Sequence, residues 1–197
     1  MWFLTQEGVD RYDGKYIKHY NFSDDSIKLD SRIALNWLYM DSGNILWVIG
    51  QKGRIFRYDS QHDKFELAYV HPELIRNKPQ AFLNYGYLDK SDRIWLCYKD
   101  SITWYDIRTG TTLHMPTPVN GEITAIEQTD DNHFFIGTGS GLFHARIEKG
   151  KLNIMPDKMM EGIGTSVHEL YYHAVSKQLF VGNYKEGILI YDMGGTG

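Results

Sequence analysis

Apolar residues in this chain fall into short runs of two kinds. In Ile45-Leu46-Trp47-Val48-Ile49 every position is apolar, which a strand covered on both faces requires. In Lys64-Phe65-Glu66-Leu67-Ala68-Tyr69 the apolar Phe65, Leu67 and Tyr69 share one side while Lys64 and Glu66 share the other, the alternation of an outer strand with one wet face. Around these runs the pattern predicts four strands: Ile33 to Met40, Asn44 to Ile49, Arg54 to Tyr58 and Lys64 to Tyr69. Asp41-Ser42-Gly43-Asn44 and the stretch from Gly50 to Gly53 supply the turns between them, their glycines able to take positive φ.

The same order recurs along the chain. An aromatic residue is followed, ten or eleven positions on, by the end of an apolar-x-x-Tyr-Asp element: Trp2 by Tyr12-Asp13, Trp47 by Tyr58-Asp59, Trp95 by Tyr105-Asp106 and Phe180 by Tyr191-Asp192. Phe135 keeps the spacing, but Ala145-Arg146 stands where Tyr-Asp is expected. The repeat length of about 40 to 50 residues is that of one propeller blade. A third unit predicts strands at Phe82 to Leu88, Ile94 to Tyr98, Ile102 to Tyr105 and Thr111 to His114. A fourth starts at Ile123 and continues with Phe134 to Gly137, Leu142 to Arg146 and Leu152 to Ile154. Helix is needed nowhere, save for a single turn over Asp157 to Gly162.

Four-stranded sheets with apolar inner strands are stabilised by stacking face to face. The chain therefore reads as all-β, a β-propeller fragment of about four to five four-stranded antiparallel blades spanning 1–197. The units cover about 1–22, 33–70, 81–115, 122–155 and 166–193. The first lacks its innermost strand and the fifth its outermost, so the fragment is incomplete at both ends. Two uncovered blade faces follow, and their expected partners are the missing blades of a parent propeller or, by self-association, another copy.

Composition narrows the partners. The aromatic share of 14% suits pleated, half-buried strands. A net charge of −4 without a polybasic stretch speaks against nucleic acid and anionic lipid. No run approaches the roughly 20 apolar residues of a membrane span. The single cysteine, Cys97, lies within Ile94-Trp95-Leu96-Cys97 and reads as a buried thiol.

Several strings resemble chemistry and fail on spacing. His168-Glu169-Leu170-Tyr171-Tyr172-His173 sets its histidines five apart, where a zinc-protease helix needs four, so no metal is expected. Gly137-Thr138-Gly139-Ser140-Gly141 has no helix after it to bind an anion and reads as a hairpin. Asp24-Asp25 and Asp130-Asp131 read as solvated turns, and Asn21-Phe22-Ser23 as a chance sequon. No catalytic residue and no cofactor are expected. His168 and Glu169, adjacent on an inner strand, keep open a propeller lyase or hydrolase, and a protein-interaction scaffold is a third reading.

The loops between second and third strands commonly help form one rim of a propeller. Here they include Gln6-Glu7, Gln51-Lys52, Tyr98-Lys99-Asp100, Gly139-Ser140 and Asn183-Tyr184-Lys185-Glu186. Tyr98 and Tyr184 offer rings to stack on a sugar, and Lys99, Asp100, Asn183 and Lys185 offer directional hydrogen bonds. These six are the candidate ligand-binding residues.

The pattern from Ile33 through Asp41-Ser42-Gly43-Asn44-Ile45-Leu46-Trp47 to Tyr58-Asp59 is similar to the two-component regulator propeller repeat, and so is Trp2-Phe3-Leu4-Thr5 through Tyr12-Asp13-Gly14. That family's Gly-Thr after the second-strand aromatic is kept at Gly137-Thr138. It is replaced at Gly50-Gln51, Cys97-Tyr98 and Gly182-Asn183. The resemblance implies a periplasmic, non-catalytic sensor region of a hybrid histidine kinase of the Bacteroidetes type, responsive to carbohydrate, with an oligosaccharide as ligand. The kinase, membrane span, Ig-like module and DNA-binding region of such receptors are not in this sequence.

Overall fold

The structure, a computed structural model, describes residues 1–5, 7–22, 35–72, 82–130, 132–155 and 166–194. These residues form five antiparallel sheets, each a simple up-and-down meander. Sheet 1 holds β1 (Trp2–Leu4), β2 (Val9–Tyr12) and β3 (Ile17–Tyr20). Sheet 2 holds β4 (Leu35–Met40), β5 (Leu46–Gly50), β6 (Arg54–Asp59) and β7 (Lys64–Val70). Sheet 3 holds β8 (Tyr85–Leu88), β9 (Arg93–Cys97), β10 (Ser101–Asp106) and β11 (Thr112–Pro116). Sheet 4 holds β12 (Ile123–Gln128), β13 (His133–Thr138), β14 (Gly141–Glu148) and β15 (Lys151–Met155). Sheet 5 holds β16 (Val167–His173), β17 (Gln178–Asn183) and β18 (Gly187–Asp192). These are β-propeller blades, with the first and last sheets one strand short of the other three. Phe82 lies outside β8 and is 71% exposed. Ile33 and the expected turn at Asp157 to Gly162 lie outside the described residues.

The Asp of each Tyr-Asp pair closes the next hairpin. The Oδ1 of Asp13 accepts from the Lys15 and Tyr16 amides, that of Asp59 from Gln61 and His62, and that of Asp106 from Arg108 and Thr109. Asp192, after the last described strand, accepts in the same way from the Gly194 amide. A short polar side chain folded onto its own backbone is the usual way such turns are fixed. Sheet 4 dispenses with it. There β14 runs two residues further, and the turn falls at Lys149 (φ +50) and Gly150 (φ +74), the two-residue hairpin with both φ positive.

A second aspartate works one turn earlier. The Oδ1 of Asp41 accepts from the Gly43 and Ile45 amides, and its Oδ2 accepts from Trp47 Nε1 at 2.8 Å. Asp89, 2% exposed, repeats this with the Ser91 and Arg93 amides and with Trp95 Nε1 at 2.7 Å, and adds Arg93 Nε at 2.8 Å. The turn and the central tryptophan of the next strand are thus held by one carboxylate.

The chain divides into two compact units, Met1–Leu88 and Asp89–Gly197. In the first, the face of sheet 1 bearing Trp2, Leu4, Val9 and Tyr20 packs on the face of sheet 2 bearing Leu38, Val48, Phe56, Tyr58 and Phe65, with Phe22 filling between. Asp63, at the β6–β7 turn, ties this contact at its edge. It accepts from Arg11 (2.9 Å), Lys18 (2.5 Å), Tyr20 (2.6 Å) and Tyr58 (2.5 Å). Lys18, Tyr20 and Tyr58 hold its carboxyl well below the usual carboxylate range. The opposite face of sheet 2, with Trp37, Tyr39, Trp47 and Ile49, meets β8. There Tyr39 Oη donates to Gly86 O at 2.7 Å, and a Cβ on Gly86 would sit 2.9 Å from both Ile49 and Trp37.

In the second unit, Trp95 of sheet 3 lies 4.8 Å from Phe134 of sheet 4 between ring centroids, and Lys90 N donates to the buried Gln128 Oε1 at 2.7 Å. Sheet 4 turns Phe135 and Leu142 onto Leu170, Val181, Leu179 and Tyr191 of sheet 5. Glu127 Oε1 accepts from the Tyr172 amide at 3.0 Å. A Cβ on Gly137 would meet Val167 Cγ1 at 2.5 Å, so only glycine admits so close an approach of β16. Cys97 is fully buried, and burial raises its thiol pKa. In β5 all residues are buried, as a doubly covered strand requires, whereas β17 alternates buried and half-buried.

Candidate functional site

Within the second unit three hairpin tips share one rim: β9–β10, β13–β14 and β17–β18. Their common direction follows from the packing. At the rim end Thr124, near the start of β12, bonds Val167 O at the start of β16, and at the far end Lys90 Nζ bonds Thr129 O.

Each tip is closed differently. At β13–β14, Thr138 Oγ1 donates to Gly141 O and accepts from the Ser140 amide, both at 3.1 Å, while Ser140 Oγ donates to Asn120 O at 3.0 Å. At β17–β18, Asn183 takes the threonine's place: its Oδ1 accepts from the Lys185 amide at 2.8 Å and the Glu186 amide at 3.4 Å. At β9–β10 the main chain does the work, with Tyr98 N donating to Ser101 O at 2.8 Å and Thr117 N to Asp100 O at 3.1 Å.

The six candidate residues therefore separate. Tyr98 is buried at 6% exposure, so its ring belongs to the packed tip and presents no stacking face to a ligand. It takes the strand-end position that Thr138 and Asn183 hold in the other two tips, and both of those are buried as well. Asn183, also 6% exposed, spends its carbonyl oxygen on the turn. Lys99, Asp100, Tyr184 and Lys185 are exposed, Tyr184 at 88%. No hydrogen bond joins Lys99 or Asp100 to Tyr184 or Lys185 among the described residues. In the first unit Thr5 closes the β1–β2 tip with Gly8, while Glu7 and Gln51 are exposed; Gln6 lies outside the described residues.

The structure adds two residues at the fifth tip. The His168 ring lies 6.1 Å from that of Tyr184, edge to face, and its Nε2 is 3.1 Å from Ser166 Oγ. Strand register brings them there, since Val167 pairs with Asn183. Tyr184, His168 and Ser166 make one aromatic and polar patch, with the exposed Lys185 next to Tyr184 in the chain, that can stack on a ring and donate hydrogen bonds around it. Among the described residues no carboxylate bonds His168, and no group of three or more His, Cys, Asp or Glu could hold a metal ion. Asp130 caps the His133 amide, Phe22 of the sequon is core, and Asp24-Asp25, Asp131 and Ser23 lie outside the described residues.

Fold and site together define a run of β-propeller blades with an open rim patch on its fifth sheet. No protein-family model matches the sequence, and no curated protein matches it. Solved structures do match in fold. The extracellular domain assigned to the hybrid two-component system BT4673 of B. thetaiotaomicron superposes with a TM-score of 0.69 at 16% identity, over 99% of this chain and 26% of that one. That assigned to the hybrid two-component system BT3049 of the same organism gives 0.61 at 18%, over 98% and 32%. PorZ, a surface component of the type-IX secretion system of Porphyromonas gingivalis, gives 0.66 at 13%, over 97% and 30%. The chain spans a quarter to a third of each, and at these identities the likeness is one of fold.

Proposed function

We propose that this chain is a ligand-sensing part of the extracytoplasmic, periplasmic region of a hybrid two-component regulator, with an oligosaccharide as its ligand and no catalytic step of its own. The observation that carries the reading is the exposed Tyr184–His168–Lys185 patch on the rim of a fold shared, over nearly the whole chain, with two extracellular domains assigned to such systems. An aromatic ring flanked by hydrogen-bonding groups is the combination that grips a sugar face. Occupancy alone would signal nothing: the ligand must bind one arrangement of the receptor better than another, and a rim that joins successive blades is suited to that difference.

A glycan array followed by calorimetry on this chain tests the reading. Loss of one stacking ring is worth about 0.5–1.5 kcal/mol, so Tyr184→Ala is expected to weaken a bound oligosaccharide by about two- to tenfold. Binding indifferent to both Tyr184→Ala and Lys185→Ala would move the site elsewhere, and an array without a binder would refute the carbohydrate ligand. The likeness to PorZ favours a second reading, a surface scaffold that binds protein. Pull-down with the Tyr184→Ala variant beside wild type separates the two.

A further inference from the structure

Two histidines meet at the end of sheet 4 away from the rim. His133 opens β13, and His144 lies on β14 directly opposite Phe135. By strand alternation His133, Phe135 and His144 share the face of sheet 4 that packs on sheet 5. The Nδ1 of His133 is 3.1 Å from the Nε2 of His144, with the ring centroids 5.2 Å apart. The His144 ring is stacked on the buried Phe135, 5.0 Å between centroids and 24° between planes, so packing sets its direction. Both histidines are half-buried.

The repeat does not require this pair. The two positions are those two residues before the central aromatic and directly across from it. Sheet 3 fills them with Arg93 and Trp104, the guanidinium lying over the indole at 5.0 Å, and sheet 5 with Gln178 and Ile190. Of these three sheets only sheet 4 sets two imidazole nitrogens against each other.

We propose that His133 and His144 bind a borderline divalent transition-metal ion, of which zinc is the simplest case. Two nitrogens held about 2.0–2.1 Å from a tetrahedral zinc lie about 3.3 Å apart, so the pair already has the spacing of two ligands. Imidazole suits zinc, copper and nickel alike. The ion takes the place of the proton between the rings, and the donor imidazole carries its hydrogen on its other nitrogen instead. Asp130, whose Oδ1 accepts from the His133 amide at 2.9 Å, and Glu127, in one cross-strand row with Phe135 and His144, bring negative charge to this face. Arg146, opposite His133, is paired with Glu148 at 3.4 Å. Among the described residues no third His, Cys, Asp or Glu completes a three-ligand group, so water fills the remaining positions. Such an ion joins β13 to β14 beside Phe135 and so reinforces the packing of sheet 4 on sheet 5.

Zinc titrated into the wild-type chain at neutral pH is expected to bind one ion per chain by calorimetry. It should also raise the melting midpoint, because only the folded chain brings the two rings together. His133→Ala and His144→Ala are each expected to weaken zinc at least about tenfold and to remove the rise in melting. His62→Ala, at an exposed histidine in another sheet, should change neither. Should either alanine variant unfold, ring signals of the wild type give the same answer: a trace of copper(II) is expected to broaden His133 and His144 before the other histidines. A wild type that binds no zinc saturably would overturn the proposal. So would binding that survives both alanine changes, or copper broadening that starts elsewhere, since either means adventitious uptake by surface histidines only.

Discussion

Replacing Asp89 by alanine is expected to be among the most damaging single changes in the second unit. The side chain is fully buried and accepts four hydrogen bonds, from Ser91 N, Arg93 N, Arg93 Nε and Trp95 Nε1. Trp95 is itself fully buried, so water does not replace the carboxylate at the indole. Leaving a buried donor without its acceptor costs about 1–3 kcal/mol, and breaking a buried ion pair by removing one partner costs about 3–5 kcal/mol. These overlap here, since Arg93 is partly exposed and recovers solvent, so the loss is about 3–5 kcal/mol in all. Asp89→Asn keeps one carbonyl oxygen and is expected to lose about 2 kcal/mol. Asp41→Ala is the internal control: it makes the same turn and indole bonds but is only half-buried and has no arginine, and about 1–2 kcal/mol is expected. Urea unfolding read by tryptophan fluorescence and by circular dichroism measures all three. A double-mutant cycle with Trp95→Phe should show coupling of about 1 kcal/mol or more. The reasoning fails if Asp89→Ala lies within 1 kcal/mol of wild type, if Asp41→Ala costs as much, or if the cycle shows no coupling.

Gly137→Ala would force a methyl to 2.5 Å from Val167 Cγ1 and is expected to cost about 1–3 kcal/mol, most of it recovered by adding Val167→Ala in thermal unfolding; independent, additive losses would refute the contact. Burial raises the Glu127 carboxyl above its ordinary value, so the folded state favours the protonated form and this group's contribution falls as pH rises toward and through its folded value. Glu127→Gln keeps an acceptor for Tyr172 N without the charge. It is expected to melt higher than wild type at pH 7, with the gap closing below the ordinary carboxylate range. Asp63 works in the opposite sense. Its depressed folded value gives stability that is complete above the unfolded value of about 3.9 and is lost as pH falls toward its folded value. Acid should therefore change the Trp2 fluorescence, taken as wild type minus Trp2→Phe, before strand dichroism is lost, and Asp63→Asn should show that change at neutral pH.

The strands were legible because their causes are local. Doubly apolar Ile45 to Ile49 became β5, alternating Lys64 to Tyr69 became β7, and the Tyr-Asp spacing located each third strand. The spacing did not reveal what the aspartate does, namely cap a turn, nor that sheet 4 loses it because Lys149-Gly150 turns the chain by another route. Asp41 and Asp89 could have been found, since each stands six residues before a tryptophan. Asp63 could not: its partners Arg11, Lys18 and Tyr20 are more than forty residues away and meet it only when two sheets pack. The rim was legible as a set of hairpin tips, but not which side chains it exposes. Tyr98 stands at the strand-end position of Thr138 and Asn183, and all three are buried, whereas Tyr184 lies one residue further out and is in water. His168 joined the patch through strand register, which a linear reading of its own string does not show.

The bonds between successive inner strands have one end on a side chain and the other on a peptide group: Tyr39 to the Gly86 carbonyl, Glu127 to the Tyr172 amide. The peptide group itself needs no matching side chain, although at Gly86 the close approach of Ile49 and Trp37 also demands a glycine. A unit duplicated within the gene would arrive able to receive its neighbour at once. Arrays of this kind can lengthen by whole copies first and acquire individual sequences afterwards.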